Sequence, residues 1–166
     1  GKLTETIPKK YEDTPSYEYY PSAERNSEYR ESIYVGYRYF EKAGVQVVYP
    51  FGYGLSYTDF EYSDLKIGEK GVSFAIKNVG EYDGEEIAEL YIGLPNAKVF
   101  RPVKELKGFK RVHVEPGQTV KVEIPIDRKA LEFYNSDLEL VTEKGTFTVM
   151  VGPSSAQTSS VTLTLE

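Results

Sequence analysis

At 166 residues the chain has room for one full domain, or for one domain with a substantial extension. Its apolar fraction of 40% and charged fraction of 28% suit a globular protein, and a net charge of -6 argues against nucleic acid as a partner, because phosphate binding needs clustered Lys and Arg. No cysteine is present and His113 is the single histidine, which excludes disulfides, thiolate metal sites, multi-His centres and a Cys nucleophile; no metal and no cofactor are expected.

No apolar run approaches the ~18 residues needed to cross a bilayer, so no membrane partner is expected. Gly1 is not followed by a basic and then apolar leader and reads as a cut end, leaving cytoplasmic and secreted locations both open.

The opening stretch, Gly1 to about Asn26, mixes Pro, Tyr, Glu and Lys without the period of a strand or a helix, and reads as irregular extended chain. Tyrosine is concentrated early: twelve of the fifteen lie at or before Tyr62. Within this region Ser32 to Phe40 is rich in β-branched and aromatic residues, so a strand is expected over Ile33–Phe40.

From Asp59 the pattern turns regular. Val72, Phe74 and Ile76 alternate with polar or small residues, as do Val120, Val122 and Ile124, then Phe147, Val149 and Val151, then Val161, Leu163 and Leu165. Such alternation describes antiparallel strands with one buried and one wet face. Phe60 and Tyr62 share one phase and Leu65 and Ile67 the other, which predicts a bulge near Ser63-Asp64. A long segment from Val103 to Val114 is expected to turn Val112 and Val114 inward and Arg111 and His113 outward.

Turns are expected at Gly68-Glu69-Lys70-Gly71, Asp83-Gly84, Pro116-Gly117, Lys144-Gly145 and Gly152-Pro153, and Asp127 is placed to cap a short helical turn from Arg128 to Glu132. About seven strands with no long helical pattern between them give an all-β, fibronectin-III or immunoglobulin-like sandwich.

One string bears on identity: Tyr49-Pro50-Phe51-Gly52-Tyr53-Gly54-Leu55-Ser56-Tyr57-Thr58 followed by Phe60. It resembles the junction in family 3 glycoside hydrolases, the β-glucosidase-like enzymes, where an α/β sandwich domain hands over to a fibronectin type III-like domain. Further strings resemble the same family in order: Gly1 to Pro8, Tyr34 to Tyr39, Pro102 to Phe109 with Val114 to Gln118, and Gly145 to Gly152 with Ser154-Ser155. There are departures, since Glu31-Ser32 stands where the family commonly has Glu-Gly, and the aromatic often found near Leu138–Leu140 is absent.

The resemblance divides the chain into 1–48, the C-terminal remnant of the α/β sandwich domain; 49–58, the junction; and 59–166, the fibronectin type III-like domain. It implies a parent hydrolase cleaving terminal β-linked sugars with retention, through an Asp nucleophile and a Glu acid/base. Neither catalytic motif occurs here, so this chain is expected to be inactive by itself and to act as an accessory domain that stabilises and positions the missing catalytic domains. A carbohydrate-binding or cell-surface sandwich module is the alternative.

The aromatic-rich stretch is read as an inter-domain seam made by Tyr37, Arg38, Tyr39, Tyr49, Phe51, Tyr53 and Tyr57, with a sugar-stacking platform as the competing reading. Arg38 divides evenly between a seam ion pair and an exposed arginine. Glu12-Asp13 and Glu85-Glu86 read as acidic surface rather than a catalytic pair, because adjacent strand residues point to opposite faces. His113 reads as a surface or inter-domain residue. The edge of the expected Ile33–Phe40 strand, lacking its partner, is a place where two copies could pair.

Overall fold

The computed structural model describes residues 1–22 and 25–166, and its N-terminal extension departs from the strand expected at Ile33–Phe40. A short strand β1 (Ile7–Pro8) is followed by a 3-10 turn at Tyr11–Asp13, then by helix α1 (Tyr37–Ala43) and strand β2 (Val47–Tyr49), which pairs antiparallel with β1.

The residues expected in a strand at Tyr37–Phe40 are therefore helical. The reason lies in which side chains are buried: Tyr37 and Phe40 both are, and they sit three positions apart. A helix brings that spacing onto one face, whereas a strand would send one of the two to water. Burial of the pair outweighs the local preference for extended chain. Gly44 then ends the helix in the left-handed region (φ 67°), its N–H donating to Phe40 O. With no strand at Ile33–Phe40, the pairing of two copies through its edge loses its basis.

The regular region folds as expected into two antiparallel sheets. Strands β3 (Phe60–Gly68), β4 (Gly71–Asn78), β5 (Gly84–Gly93), β6 (Glu105–Val114) and β7 (Thr119–Pro125) are followed by the one-turn helix α2 (Arg128–Leu131) and a small hairpin of β8 (Phe133–Tyr134) and β9 (Leu140–Val141). Strands β10 (Gly145–Ser154) and β11 (Gln157–Leu165) complete the chain. One sheet runs β3-β4-β7 and the other β11-β10-β5-β6.

Their inner faces meet in one core. Val72, Phe74 and Ile76 of β4 and Val122 and Ile124 of β7 pack against Ala88, Leu90 and Ile92 of β5 and Phe147, Val149 and Val151 of β10. Burial of this apolar area is the main favourable term, about 25 cal/mol per Å² removed from water. Val114 is buried and Arg111 and His113 point outward, as the alternation predicts.

Local details follow the sequence in part. The register of β3 against β4 slips between Ser63 and Lys66, and Asp64 takes φ 54° there, so the bulge sits where the change of phase put it. Asp127 caps α2, its carboxylate accepting from Ala130 N at 2.9 Å. Gly152-Pro153 is not a turn. It lies inside β10, where the register shifts between Val151 and Ser154, and the reversal comes at Ser155-Ala156. Proline without an N–H is tolerated at such a bulge because no ladder bond is required of it.

One fully buried polar residue ties the strands to the junction. The Asn78 amide makes four hydrogen bonds: Nδ2 donates to Tyr82 O (2.7 Å) and Val114 O (2.9 Å), while Oδ1 accepts from Thr58 Oγ1 (2.5 Å) and Gly80 N (3.0 Å). That uses the full capacity of the side chain. Asn78→Ala would leave four groups without partners and is expected to cost at least about 3 kcal/mol, against about 1 kcal/mol for loss of the helix cap in Asp127→Ala. Urea denaturation of both variants checks this; equal small losses would mean that the Asn78 network does not carry the junction.

Candidate functional site

The outward face of β5 is where the extension meets the sandwich. Alternation puts Glu89 and Tyr91 on that face, yet both are buried, with Tyr91 at 0% exposure. They are covered by Tyr37 from α1 and Phe51 from the junction, whose rings stand 5.2 Å apart, with Tyr37 edge-on to Tyr91 at 5.7 Å. Met150 and Leu106 complete this second apolar cluster.

Hydrogen bonds fix the cover in place. The Leu106 N–H donates to the Tyr37 hydroxyl at 2.8 Å, and Ser155 N–H donates to Phe51 O at 2.8 Å. Leu3 and the junction exchange two bonds, Leu3 N to Tyr53 O and Gly52 N to Leu3 O, each 2.8 Å. Gly52 (φ 82°) lies directly on Glu89: a Cβ built there would come 2.3 Å from Glu89 Oε2. The positive φ favours glycine, and any Cβ here would require the Glu89 carboxylate to shift.

Charges gather around this seam and at the inward-facing start of β5, where Glu86 shares the phase of Ala88 and Leu90. Glu86 Oε1 accepts from Tyr62 OH at 2.8 Å and from Lys2 Nζ at 3.1 Å, and Lys2 also donates to Pro153 O at 2.9 Å. Tyr91 OH donates to Glu89 at 2.6 Å. Lys104, itself buried, pairs with Glu41 of α1 at 3.0 Å and donates to Ser155 O. Arg38 Nη2 lies 4.0 Å from Glu105 Oε1, and its side chain keeps 34% of its surface exposed.

Burial pushes the Glu89 carboxyl above its ordinary value, against the opposing Tyr91 hydrogen bond and Lys2 charge, with Glu86 adding to the rise. Burial and the neighbouring carboxylates push the Tyr62 and Tyr91 hydroxyls up, so both stay neutral donors. Burial draws the Lys107 ammonium down despite Glu105 beside it.

Of the seven residues expected in a seam, Tyr37 and Phe51 lie against β5 and Arg38 against β6. Tyr39 packs edge-on to Phe40. Tyr49 and Tyr53 form a tilted pair with ring centres 4.6 Å apart, and Tyr57 stands in solvent at 95% exposure. Sequence reasoning missed Lys2, Glu41, Glu86, Glu89 and Lys104. The available signal was Glu89 and Tyr91 flanked by apolar residues on a strand with almost no polar break after Ile87, the mark of a strand covered on both faces.

The other candidates are surface features. Glu85 pairs with Arg111 at 2.8 Å while Glu86 is buried, so the two do point apart. Asp13 lies 3.8 Å from Lys10, and His113 sits half-exposed between Asp83 and Glu85. Of the buried acids, Glu86 is held through Oε1 by Tyr62 and Lys2, and Glu89 through Oε2 by Tyr91. Among the described residues no group of His, Asp and Glu is placed to hold a metal, and no helix is long and apolar enough to cross a membrane.

The fibronectin type III-like domain model matches residues 86–155. Thermostable beta-glucosidase B of Acetivibrio thermocellus is 42% identical over 164 residues, covering 93% of this chain and 22% of that protein. The crystal structure of the Bifidobacterium adolescentis GH3 beta-glucosidase superposes with a TM-score of 0.94 at 33% identity, over 99% of this chain and 26% of that one. The beta-glucosidase of Kluyveromyces marxianus in complex with glucose gives 0.92 at 40% identity, over 100% and 21%. The chain thus spans about a fifth to a quarter of the length of the proteins it matches.

The raised Glu89 carboxyl makes stability depend on pH in a stated direction. The folded chain holds that proton more tightly than the unfolded chain, so its contribution is complete below the ordinary value of 4.5 and is lost as pH rises through the folded value. Glu89→Gln keeps an acceptor for Tyr91 and removes the titration. The thermal midpoint of the variant should exceed that of the parent at about pH 7 and approach it at about pH 5. A gap that does not change with pH would overturn this assignment.

Proposed function

Because the chain is homologous to the C-terminal part of the family 3 glycoside hydrolase β-glucosidases and carries their fibronectin type III-like domain, we propose that it is a non-catalytic buttress, which stabilises and positions the catalytic domains of a retaining β-glucosidase. The observation that carries this reading is the seam on β5. Lys2 and α1 of the extension, and Phe51 of the junction, are stitched to the sandwich by buried rings, ion pairs and hydrogen bonds, while Leu3 is tied to the junction.

In this reading residues 1–48 belong to the α/β sandwich domain of the parent, 49–58 are the junction, and 59–166 are the accessory domain. The seam converts the junction from a slack tether into a fixed joint. Whatever the extension is part of is then held in one pose against the sandwich. The extension also presents Ile33, Val35, Val48, Tyr49 and Leu55 to solvent, a set of apolar side chains suited to burial against the rest of such an enzyme. The catalytic carboxyls of the parent belong to the part of the enzyme outside this chain, and the acids here act on structure.

Two measurements test the proposal. Deleting the stretch corresponding to 59–166 from a full-length family 3 β-glucosidase should lower its thermal midpoint by at least about 5 °C and reduce soluble yield. An unchanged midpoint would overturn the buttress. The 166-residue chain alone should not hydrolyse a chromogenic aryl β-glucoside; clear turnover would mean that a catalytic pair lies within it.

A further inference from the structure

The outer strands of the two main sheets, β3 and β7 of one and β11 and β6 of the other, do not guard their free edges equally. An outer strand offers an unpaired row of N–H and C=O groups, which charge, proline or a bulge ordinarily blunts. On β3 the bulge between Ser63 and Lys66 does so, with the charges of Glu61, Asp64 and Lys66. On β6 Lys107 stands where the register slips, with Lys110 and Arg111 beyond it. On β7 Lys121 and Glu123 precede Pro125.

Strand β11 has none of these guards. Its nine residues, Gln157–Leu165, include no charge and no proline. Seven successive pairs with β10, from Val151↔Ser159 to Gly145↔Leu165, run without a slip. Its valine and threonines favour extended chain. Toward the core Val161, Leu163 and Leu165 are only half-buried, while Ser160, Thr162 and Thr164 on the outward face are exposed. Among the described residues no strand lies beyond β11.

We propose that this edge pairs antiparallel with the same edge of a second copy of the chain, joining the two four-stranded sheets side by side. Both the length and the neutrality of β11 are matched by its own copy, so no like charges meet across the pair. A two-fold axis centred on Val161 overlaps the whole strand and sets Ser160 of each copy opposite Thr162 of the other. It also brings the half-buried Val161 side chains together. Hydroxyls already meet across this sheet, Thr146 Oγ1 lying 3.2 Å from Thr164 Oγ1.

The size suits a dimer. A nine-residue edge is about 30 Å long, and a two-layer sandwich with its side chains is about 20 Å deep, so about 600 Å² of each copy is covered. The total of about 1,200 Å² reaches the lower bound of stable interfaces. At the other end of the same sheet the charges and slip of β6 oppose further pairing, so assembly closes at two copies instead of running on into a fibre. The contact uses no residue of the seam, and the inference is independent of the buttress role.

The test is sedimentation equilibrium of the chain from about 5 μM to about 1 mM, at low and at physiological salt. A monomer–dimer equilibrium is expected, tightening as salt screens the net charge of -6 on each copy. Hydrogen exchange should show alternate amides of Gln157–Leu165 gaining protection with concentration, and the edges of β3, β6 and β7 gaining none. Ser160→Lys with Thr162→Lys sets lysine against lysine in both cross-copy pairs and should weaken association about tenfold or more, although it reduces the overall repulsion. Ser160→Glu with Thr162→Lys sets opposite charges across the same pairs and should restore the dimer. Exchange in the unsubstituted chain decides the matter even where a substitution disturbs folding. Three results would overturn the proposal: a monomer throughout the range, protection gained at another surface, or the two double variants associating alike.

Discussion

An antiparallel sheet ordinarily leaves one face to water, but the outward side of β5 is closed over by rings and backbone. Tyr91 cannot face solvent without exposing a large apolar surface, and Glu89 beside it can be buried only with a hydroxyl donor and a screened neighbour. Those two requirements demand a cover of particular shape. Tyr37 supplies the ring edge, Phe51 the second ring, and Gly52 a backbone able to lie against a carboxylate. The position of α1 and the path of the junction both follow from that fit.

The charges at the seam serve register more than affinity. A buried ion pair returns little net stability once desolvation is counted, though breaking one is expensive. Lys2 with Glu86 and Lys104 with Glu41 therefore act chiefly against misplacement, since a shifted extension would leave a charge buried without its partner. The aromatic cluster supplies the driving force, and the ion pairs fix which of the similar tyrosine-rich stretches takes each place.

Much of the sandwich was legible because alternation is a local signal. Val72 to Ile76, Phe147 to Val151 and the change of phase at Ser63-Asp64 each carry their structure within a few residues. What was not legible depends on partners far along the chain. Tyr37 and Phe40 are helical because both must reach one buried surface, while their composition favours a strand. Gly152-Pro153 has the chemistry of a turn, but the pairing of β10 with β5 and β11 carries the strand past it. Within the seam, Tyr37, Arg38 and Phe51 could be picked out by their aromatic or charged character. Lys2 and Glu41 could not, because nothing local distinguishes a buried lysine or glutamate from an exposed one.

Ser155 stands at the tip of the last hairpin, its N–H on Phe51 O and its carbonyl on Lys104, which in turn holds Glu41. The first third of the chain is thus fastened by a residue close to its end. A ribosome releases the extension long before the hairpin exists, so during synthesis α1 and the junction have no finished surface to dock on and wait, tyrosine-rich and uncovered, until β10 and β11 emerge. Long-range closure of this kind slows folding, and it makes the last strands the step that commits the earlier segments to their places.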